Sequence, residues 1–320
     1  MTGVLFVTDP LAGLQCDIDA SIGLMSATQD LGFDVWCCGP EELAVVDGRV
    51  CARARRIRLR PRLAGGDHRW IVDSDWFDEL GAAVVDVASS FEVIQLRIDP
   101  PVDARYLHTT YLLDLVERAG TRVINRPAGI RAMHEKLVAL QFPELCPPTY
   151  VGADPLALRS FVGNVGTAVV KPVDGFAGIG VWLVRDDRSA VALLESATHG
   201  GRRHVIAQQY LPSVAEGNKR LFLLDGEIVG AVLRRPAAGD FRIGPPVATA
   251  AVDDHDRAIV AALGPVLRAH GLVIAGLDVI DGRLIEVNVT CPGGMHKTDA
   301  LLGTRLSHTI VSSLFEGALV

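Results

Sequence analysis

Residues 275–294 read AGLDVIDGRLIEVNVTCPGG, and this stretch decides the architecture of the C-terminal part of the chain. Two runs of alternating apolar residues meet at Asp281-Gly282, a dipeptide that favours a tight turn between antiparallel strands. The stretch therefore predicts a β-hairpin. Three residues with oxygen-bearing side chains, Asp278, Glu286 and Asn288, interrupt the apolar pattern, and their placement decides what the hairpin can bind.

The length of the turn determines which polar side chains share a face of the hairpin. A two-residue turn pairs Ile280 with Arg283 and places Asp278 on the face opposite the other two polar residues. A three-residue turn with Gly282 in the left-handed conformation, a G1 bulge, pairs Val279 with Arg283 and puts all three on one face. We expect the second register, because a slip by one residue would mix apolar and polar side chains. The expected buried face then comprises Leu277, Val279, Ile285, Val287 and Val289.

The polar face of this hairpin is a candidate metal site, with Asp278, Glu286 and Asn288 as its ligands. Mg²⁺ prefers oxygen ligands and is usually bound through one or two carboxylates together with substrate phosphates. A sheet with one solvated face is the common alternative, and the hairpin alone does not decide between the two.

A glycine-rich loop in AVVKPVDGFAGIGVWLV, residues 168–184, is a candidate phosphate site. Lys171 ends the preceding predicted strand, and Gly175, Gly178 and Gly180 follow it. Glycines let backbone N–H groups approach phosphate oxygens closely, and the lysine adds a compact positive charge. A second strand follows the loop, whereas a Rossmann fingerprint or a Walker A loop needs a helix there. The alternative for this segment is a flexible hairpin.

Further basic residues occur in a predicted hairpin and near a predicted helix. GNKRLFLLDGEIVGAVLRRP, residues 217–236, places Arg220 at the start of one strand and Arg234 at the end of its partner. Arginine can grip phosphate in a bidentate manner, although arginines at strand ends are also ordinary. Lys136 ends a helical pattern that begins at Pro127, a residue that suits the first turn of a helix.

The strand in HVIAQQYLP, residues 204–212, is the last candidate for ligand contact. Backbone groups of Gln209, Tyr210 and Leu211 could contact an adenine ring, although a plain core strand explains the same pattern.

Bulk properties limit the class of protein. A length of 320 residues favours about two domains, or one large α/β domain with subdomains. The net charge of −7 argues against a general role on nucleic acids or anionic membranes. No apolar run approaches the roughly 20 residues of a membrane helix. The six cysteines lack metal-ligand spacing, so we expect reduced thiols in a cytoplasmic protein.

The N-terminal part reads strand, helix, strand over residues 4–39, a pattern typical of an open parallel sheet with packed helices. The basic segment RVCARARRIRLRPR, residues 49–62, has arginines at alternate positions from Arg56 to Arg62. We interpret it as a solvated edge strand protected by charge rather than as a nucleic-acid site.

Taken in order, these segments resemble the bacterial glutathione synthetase type of ATP-grasp ligase over nearly the whole chain. The matching stretches are DPPVDARYLHTTYLLDLVERAGTRVINRPAGIRAMHEKL, VVKPVDGFAGIGV, AQQYLP, GNKRLFLLDGEIV and GLDVIDGRLIEVNVTCP. The resemblance implies an α/β fold with α+β subdomains. A Rossmann-like domain (1–125) precedes an ATP-grasp N-terminal subdomain with the glycine flap (126–205) and a C-terminal subdomain with the metal site (206–320).

The resemblance also implies a role for each candidate residue. ATP would be held at its phosphates by Lys136, Lys171 and the flap glycines Gly175, Gly178 and Gly180, at its adenine by Gln209, Tyr210 and Leu211, and near its ribose by Asn218. The γ-phosphate and the activated intermediate would be held by Arg220 and Arg234. Two Mg²⁺ ions, for which Mn²⁺ is an expected substitute, would be held by Asp278, Glu286 and Asn288.

The chemistry implied is amide formation driven by ATP. A small-molecule or peptide carboxylate attacks the γ-phosphate to give an acyl phosphate, and an amine then displaces phosphate. A phosphotransferase that stops at phosphorylation and a non-catalytic nucleotide-binding protein are the alternatives. We also expect a homo-oligomer.

The sequence departs from the family pattern where the acceptor should bind. Asp17 and Ile18 occupy the positions of a lysine pair, and Ile98 replaces another lysine. Three cations that would help hold an acidic peptide are therefore absent, and burying substrate carboxylates without partners is costly. We expect an acceptor less anionic than γ-glutamylcysteine, with true glutathione synthesis as the alternative. Arg97 and Arg242 are candidates for holding a substrate carboxylate.

Overall fold

The computed structural model describes residues 3–16, 19–64, 70–71, 75–175 and 178–315. Its helices and strands fall into three consecutive groups. The first group is β1 (Gly3–Thr8), α1 (Ala20–Asp30), β2 (Asp34–Cys38), β3 (Leu43–Val46), β4 (Arg49–Leu59), β5 (Leu63–Ala64), β6 (Trp70–Ile71), β7 (Phe77–Asp86), α2 (Val87–Ser90), β8 (Val93–Arg97), α3 (Ala104–Arg118) and β9 (Arg122–Ile124).

The other two groups form the rest of the chain. The second is α4 (Pro127–Ala132), β10 (Thr149–Gly152), α5 (Pro155–Val165), β11 (Thr167–Pro172), β12 (Trp182–Arg185), α6 (Ala190–Ala197) and β13 (Val205–Gln209). The third is β14 (Asn218–Leu224), β15 (Glu227–Arg234), β16 (Pro246–Thr249), α7 (Asp254–Ala269), β17 (Ile274–Ile280), β18 (Arg283–Asn288), α8 (Met295–Leu302) and α9 (Leu306–Phe315).

The first sheet has the order β3-β4-β2-β1-β8-β9, and β7 pairs with β4. Strands β2, β1, β8 and β9 run parallel to one another, which confirms the predicted strand-helix-strand start of the chain. The hairpin β3–β4 turns at Asp47 and Gly48, both with positive φ. Because the carboxyl ends of parallel strands share one edge of a sheet, Thr8 and Arg97 end next to each other.

The prediction that the arginine-rich strand is an edge strand is wrong. Strand β4 pairs with β2 and β3 along one side and with β7 along the other. The sequence reading missed β7, the strand that covers this side. Arg49, Arg55 and Arg56 of β4 instead form ion pairs with nearby carboxylates, such as that of Arg56 with Asp34 of β2 at 2.6 Å, which compensates these charges locally.

The second and third sheets are antiparallel, with orders β10-β13-β11-β12 and β16-β15-β14-β17-β18. Helices α5 and α6 pack on the second sheet through a small apolar core around Leu158, Val170 and Leu194. The buried face of the third sheet shares its core with the first sheet, because Leu221 and Leu277 belong to the same cluster as Leu5. The N-terminal sheet and the hairpin of β17 and β18 are therefore packed together through apolar side chains.

The last helix, α9, closes the core of the N-terminal sheet. Its residues Ile310 and Leu314 belong to the apolar cluster that contains Phe6 of β1 and Met25 of α1. The ring of Phe315 stacks on Phe33 with 4.0 Å between centroids. None of the helices in the described part of the chain is long and apolar enough to cross a membrane.

The helix predicted from Pro127 is shorter than its apolar pattern suggests. Helix α4 ends at Ala132, and Lys136 lies in the turn that follows instead of at the end of a helix. The backbone leaves the helical conformation at Met133, with φ of −118° and ψ of 72°, and the carbonyl of Glu135 then accepts the N–H of Val287 in β18. The turn is thereby attached to the edge of the third sheet.

Asn125 joins the first sheet to the third by its side chain. Its Nδ2 donates to the carbonyls of Ile274 and Val289, both at 2.7 Å, and its Oδ1 accepts the N–H of Ile274 at 2.9 Å. All these groups are buried, so each would lose its partner if the amide were removed.

The substitution Asn125→Ala should lower the free energy of unfolding by about 3 kcal/mol, since it leaves three buried backbone groups without a partner at about 1 kcal/mol each. Urea unfolding followed by circular dichroism measures this loss. Asn164→Ala is the matched control, because Asn164 is exposed on α5. Equal midpoints for the two variants would contradict the expectation.

Candidate active site

The turn of the C-terminal hairpin differs from the predicted one. Ile280 pairs with Arg283, so the turn has two residues, Asp281 and Gly282, with φ of 51° and 67°. The expected G1 bulge with Val279 opposite Arg283 is therefore wrong. Two successive positive φ angles match the right-handed twist of the strands, which favours this tighter turn.

A bulge inside the strand nevertheless brings the polar residues to one face. The register shifts so that Ile285 is an extra residue in β18, and Asp278 lies directly opposite Glu286. Asn288 follows two residues later on the same face. The shared face is confirmed, but the extra residue lies three positions from where it was expected. The buried face consequently comprises Leu277, Val279, Leu284, Val287 and Val289, while Ile285 lines a cavity instead.

A cavity of about 1300 Å³ lies between the second and third sheets and extends to the carboxyl ends of β1 and β8. It brings together most of the predicted site residues. Those on its wall are Lys136, Lys171, Gly175, Gly178, Gln209, Tyr210, Leu211, Arg220, Arg234, Arg242, Asp278, Glu286 and Asn288. Residues from six separate sequence segments thus converge on one space large enough for a nucleotide and a second substrate.

Asp278 is gripped by two arginines from the neighbouring hairpin. Arg220 binds it in a bidentate manner, with Nε–Oδ1 at 2.6 Å and Nη2–Oδ2 at 3.0 Å, and Nη1 of Arg234 lies 3.1 Å from Oδ1. Burial opposes ionisation of Asp278, but the charges of Arg220 and Arg234 outweigh it and hold the pKa of this carboxyl below its usual value. The carboxylate is therefore ionised at neutral pH despite its burial.

The two lysines differ in their partners. Nζ of Lys136 lies 3.2 Å from Oε1 of Glu286 and also donates to the carbonyl of Gly175, so it connects the metal hairpin to the flap. Lys171 has no ion pair within 4 Å among the described residues, and burial lowers the pKa of its ammonium group. A buried cation without a partner on a cavity wall is suited to a bound anion.

The polar face of the hairpin fits a hard divalent cation. It offers the carboxylates of Asp278 and Glu286, and the amide of Asn288 donates its nitrogen to the carbonyl of Gly276 at 3.1 Å, which leaves its oxygen for a ligand. The described residues contain no group of three His, Cys, Asp or Glu side chains placed for a metal. This set therefore suits a cation that also takes phosphate oxygens, as Mg²⁺ commonly does.

Three predicted residues lie away from the described part of the cavity wall. Arg97 is 3% exposed, and its Nε donates to Ser21 of α1 at 3.3 Å. Asn218 is fully buried, and neither polar atom of its amide has a partner among the described residues. Gly180 has a positive φ and packs on Pro172, where a Cβ would lie 3.0 Å from the ring.

Arg242 lies at the mouth of the cavity. Its guanidinium pairs with Asp240 at 2.8 Å. A Cβ placed on Gly178 would lie 3.6 Å from Cδ of Arg242, so the glycine flap and the loop after β15 approach each other. The two segments close the cavity from opposite sides.

The cavity end near β1 and β8 contains charged residues that the sequence reading did not select. Asp9, Asp19 and Asp99 line it together with Arg105 and Lys297. Arg105 is already paired with Asp9, at 3.3 Å, and with Glu41. Asp9 and Asp99 each lie in the loop that follows a predicted strand. This position was the sequence signal that could have identified them as site residues. Positions 17 and 18, where the family's lysine pair was expected, lie outside the described residues.

Cys291 and Glu135 also line the cavity and were missed as site residues. Burial raises the pKa of the Cys291 thiol to about 12, so the thiol is neutral at physiological pH and unsuited to act as a nucleophile. Glu135 directly precedes Lys136, and burial followed by the charge of Glu286 raises its pKa. A carboxylate within an otherwise apolar helical pattern was the only sequence signal for Glu135.

Comparison with known proteins identifies the family. The model of the prokaryotic glutathione synthetase N-terminal domain matches residues 3–131, and that of the prokaryotic glutathione synthetase ATP-grasp domain matches residues 135–303. A glutathione synthetase of Thermosynechococcus vestitus is 42% identical over 98% of this chain and 99% of that protein. One from Xanthomonas campestris pv. campestris is 35% identical over 98% of each.

Solved structures support the same fold. The D-cycloserine synthetase DcsG superposes with a TM-score of 0.63 at 21% identity, over 98% of this chain and 100% of that one. The ATP-grasp ligase PsnB with its minimal precursor gives a TM-score of 0.64 at 16% identity, over 99% and 98%. The predicted ATP-grasp fold is thereby confirmed. The chain belongs to the prokaryotic glutathione synthetase family and is an ATP-dependent, ADP-forming carbon–nitrogen ligase.

Proposed function

We propose that this ligase activates a carboxylate less anionic than γ-glutamylcysteine as an acyl phosphate and joins it to an amine. One observation supports the proposed ligation chemistry. Four basic side chains share a single cavity with the carboxylates of Asp278 and Glu286, namely those of Lys136, Lys171, Arg220 and Arg234. Fixed cations stabilise charge that develops on a transferring phosphoryl group, and a closed cavity strengthens their effect.

The proposed mechanism assigns positioning and charge stabilisation to the chain's own residues. Lys171 and Lys136 hold ATP phosphates beneath the glycine flap, and the segment from Gln209 to Leu211 lies against the adenine. Arg220 and Arg234 hold the γ-phosphate while the substrate carboxylate attacks it. The same arginines then retain the acyl phosphate until the amine displaces phosphate. The rate therefore depends on how well these cations position the γ-phosphate and the attacking substrate carboxylate.

Asp278, Glu286 and Asn288 would hold Mg²⁺, with two ions proposed and Mn²⁺ as a substitute. A bound divalent cation neutralises phosphate charge in this position. Arg220 and Arg234 bond to Asp278, and Lys136 lies beside Glu286. The cations that would hold phosphate and the carboxylates that would hold the metal are therefore direct neighbours.

The proposal about the acceptor is supported by the charges at the far end of the cavity. Three carboxylates, of Asp9, Asp19 and Asp99, face two cations, Arg105 and Lys297, among the described residues there. This balance offers no excess of positive charge to hold an acidic peptide. The relatives named glutathione synthetase favour a second candidate, synthesis of glutathione itself.

Other aspects of the protein's biology remain proposals. We propose that the enzyme acts in the cytoplasm as a homo-oligomer. The six free cysteines are compatible with that compartment. The domain limits 1–125, 126–205 and 206–320 likewise remain predictions.

An acceptor screen tests the proposed function. The purified protein is incubated with ATP, Mg²⁺, a carboxylate and an amine, and ADP release is measured together with the mass of the product. We expect ADP release that depends on both substrates, an amide product, and higher kcat/KM for carboxylates of low negative charge than for γ-glutamylcysteine.

The outcomes separate the alternatives. Robust glutathione formation from γ-glutamylcysteine and glycine would establish the second candidate and refute the acceptor proposal. A stable phosphorylated product without an amide would indicate a phosphotransferase. A protein that binds ATP without any ADP release would be a nucleotide-binding protein.

A further inference from the structure

Glu135 binds the end of the metal strand through its side chain. Its Oε1 accepts the backbone N–H of Val289 at 2.8 Å and that of Thr290 at 2.9 Å, and it also accepts the hydroxyl of Thr290 at 2.8 Å. Its backbone carbonyl accepts the N–H of Val287 at 3.0 Å. One residue thus accepts the N–H of Val287 in β18 and the N–H groups of Val289 and Thr290 immediately beyond the strand.

These bonds act where the metal strand has no neighbouring strand. Strand β18 is the last strand of the third sheet, so its outer edge would otherwise present unpaired N–H groups. Asn125 holds the same end of the strand from the first sheet through the carbonyl of Val289. The backbone before Asn288 is therefore held by the main-chain carbonyl of Glu135, and the backbone after it by the side chains of Glu135 and Asn125.

The chain connects this clamp directly to the phosphate-binding residues. Lys136 follows Glu135 and contacts both Glu286 and the flap carbonyl of Gly175. A shift of the turn that contains Glu135 would thus move Lys136, Glu286 and Asn288 relative to one another. Bonds to the groups around a metal site orient the ligands, and their loss commonly costs 10–100-fold in metal affinity or activity.

We propose that Glu135 is a positioning residue, which fixes the backbone of residues 287–290 and thereby sets the spacing of Glu286 and Asn288 for a divalent cation. This inference rests on the proposed function for the identity of the ligands, but the clamp itself is a property of the ligand-free chain. The active element is an acceptor oxygen at the position of Oε1, since all three side-chain bonds end there.

The test compares Glu135→Ala, Glu135→Gln and Asp299→Ala in the full-length protein. Asp299 is the matched control, because its Oδ1 also accepts a backbone N–H, from Leu306 at 2.6 Å, and a threonine hydroxyl, from Thr304 at 2.9 Å. Asp299 lies in α8 and bonds to the first residue of α9, and burial raises its pKa as it does that of Glu135. Glutamine keeps an acceptor oxygen without the charge.

Two measurements do not depend on turnover. Hydrogen exchange of the peptide that contains residues 287–290 should be faster in Glu135→Ala and near wild type in Glu135→Gln and Asp299→Ala. Mn²⁺ binding followed by electron paramagnetic resonance, with a non-hydrolysable ATP analogue, should weaken about 10–100-fold in Glu135→Ala alone. In the ligase assay, the Mg²⁺ concentration that gives half the maximal rate should rise in Glu135→Ala and stay near the wild-type value in Glu135→Gln and Asp299→Ala.

The inference is overturned if Glu135→Ala keeps wild-type exchange or wild-type Mn²⁺ affinity, or if Glu135→Gln is as impaired as Glu135→Ala. Equal loss of Mn²⁺ affinity in Asp299→Ala would show a general effect of lowered stability and would also overturn it. Failure of the proposed function is distinguishable, because the wild-type protein would then show no metal-dependent ADP release while the exchange experiment still gives its result.

Discussion

The substitution Asp278→Asn should lower kcat for ADP release about 1,000-fold. The carboxylate is both a proposed metal ligand and the shared partner of Arg220 and Arg234, so its neutralisation removes the one negative charge that fixes both guanidinium groups. Leaving buried charges without a partner typically costs about 3–5 kcal/mol of stability. We therefore expect a variant that is markedly less stable and nearly inactive.

The stability loss must be separated from the loss of chemistry. Asp256→Asn is the matched control, since Asp256 is fully buried on α7 and pairs with Lys219 at 2.5 Å, away from the described wall of the cavity. It should lose stability because its bond to Lys219 is weakened, although Lys219 keeps Asp253 as a partner at 2.7 Å. It should keep a near wild-type kcat, measured well below its unfolding midpoint. An Asp278→Asn variant that retained most of the wild-type rate would refute its assignment to the reaction.

The substitution Lys171→Met should lower kcat/KM for ATP about 100- to 1,000-fold while leaving the protein as stable as the wild type or more stable. Burial lowers the pKa of the Lys171 ammonium group, which shows that folding disfavours its charged form. Methionine keeps most of the volume and removes this cost. Activity and stability should thus change in opposite directions, as expected where a site stores an uncompensated charge.

The lowered pKa of Lys171 also determines how the stability of the protein changes with pH. The folded-state pKa of Lys171 lies below 10.5, its ordinary value, so between the two pKa values the unfolded chain binds more protons and wild-type stability rises with pH. The stability advantage of Lys171→Met should be largest at neutral pH and shrink as the pH approaches 10.5. Denaturant unfolding at several pH values measures it.

Lys219→Met is the matched control for Lys171→Met. Although burial opposes its charge, Lys219 bonds to Asp253 and Asp256, which raises the pKa of its ammonium group. Its removal should therefore lower stability and leave the kinetics near wild type. A loss of ATP affinity in Lys219→Met equal to that in Lys171→Met would mean that the lysine in the cavity has no specific role.

The sequence predicts the hairpin and its polar face, but not how that face arises. Asp281-Gly282 specifies a turn, and the alternation of polar and apolar residues specifies that Asp278 and Glu286 belong together. The extra residue could be accommodated at the turn or within the strand. Ile285 is apolar and therefore suits either the core or the apolar part of a cavity, so only tertiary packing decides where the bulge forms.

Side-chain direction and competing backbone bonds limited the remaining predictions. The apolar pattern after Pro127 is helical, yet the backbone leaves the helix at Met133 and Glu135 bonds to Val287 of β18. Local propensity cannot anticipate this long-range contact. Arg97 lies at the carboxyl end of a parallel strand, where ligands commonly bind, but its side chain turns toward α1. Strand order likewise places β4 inside its sheet, which the charge pattern alone does not reveal.

The packing of α9 against α1 has a consequence for synthesis of the protein. The apolar core beneath the first strand and first helix is completed by side chains that are about 300 residues distant in sequence. A chain growing from the ribosome therefore cannot complete this core when β1 and α1 emerge, and must wait until α9 has been translated. During this interval Phe6 and Met25 are exposed to water unless chaperones or transient contacts cover them.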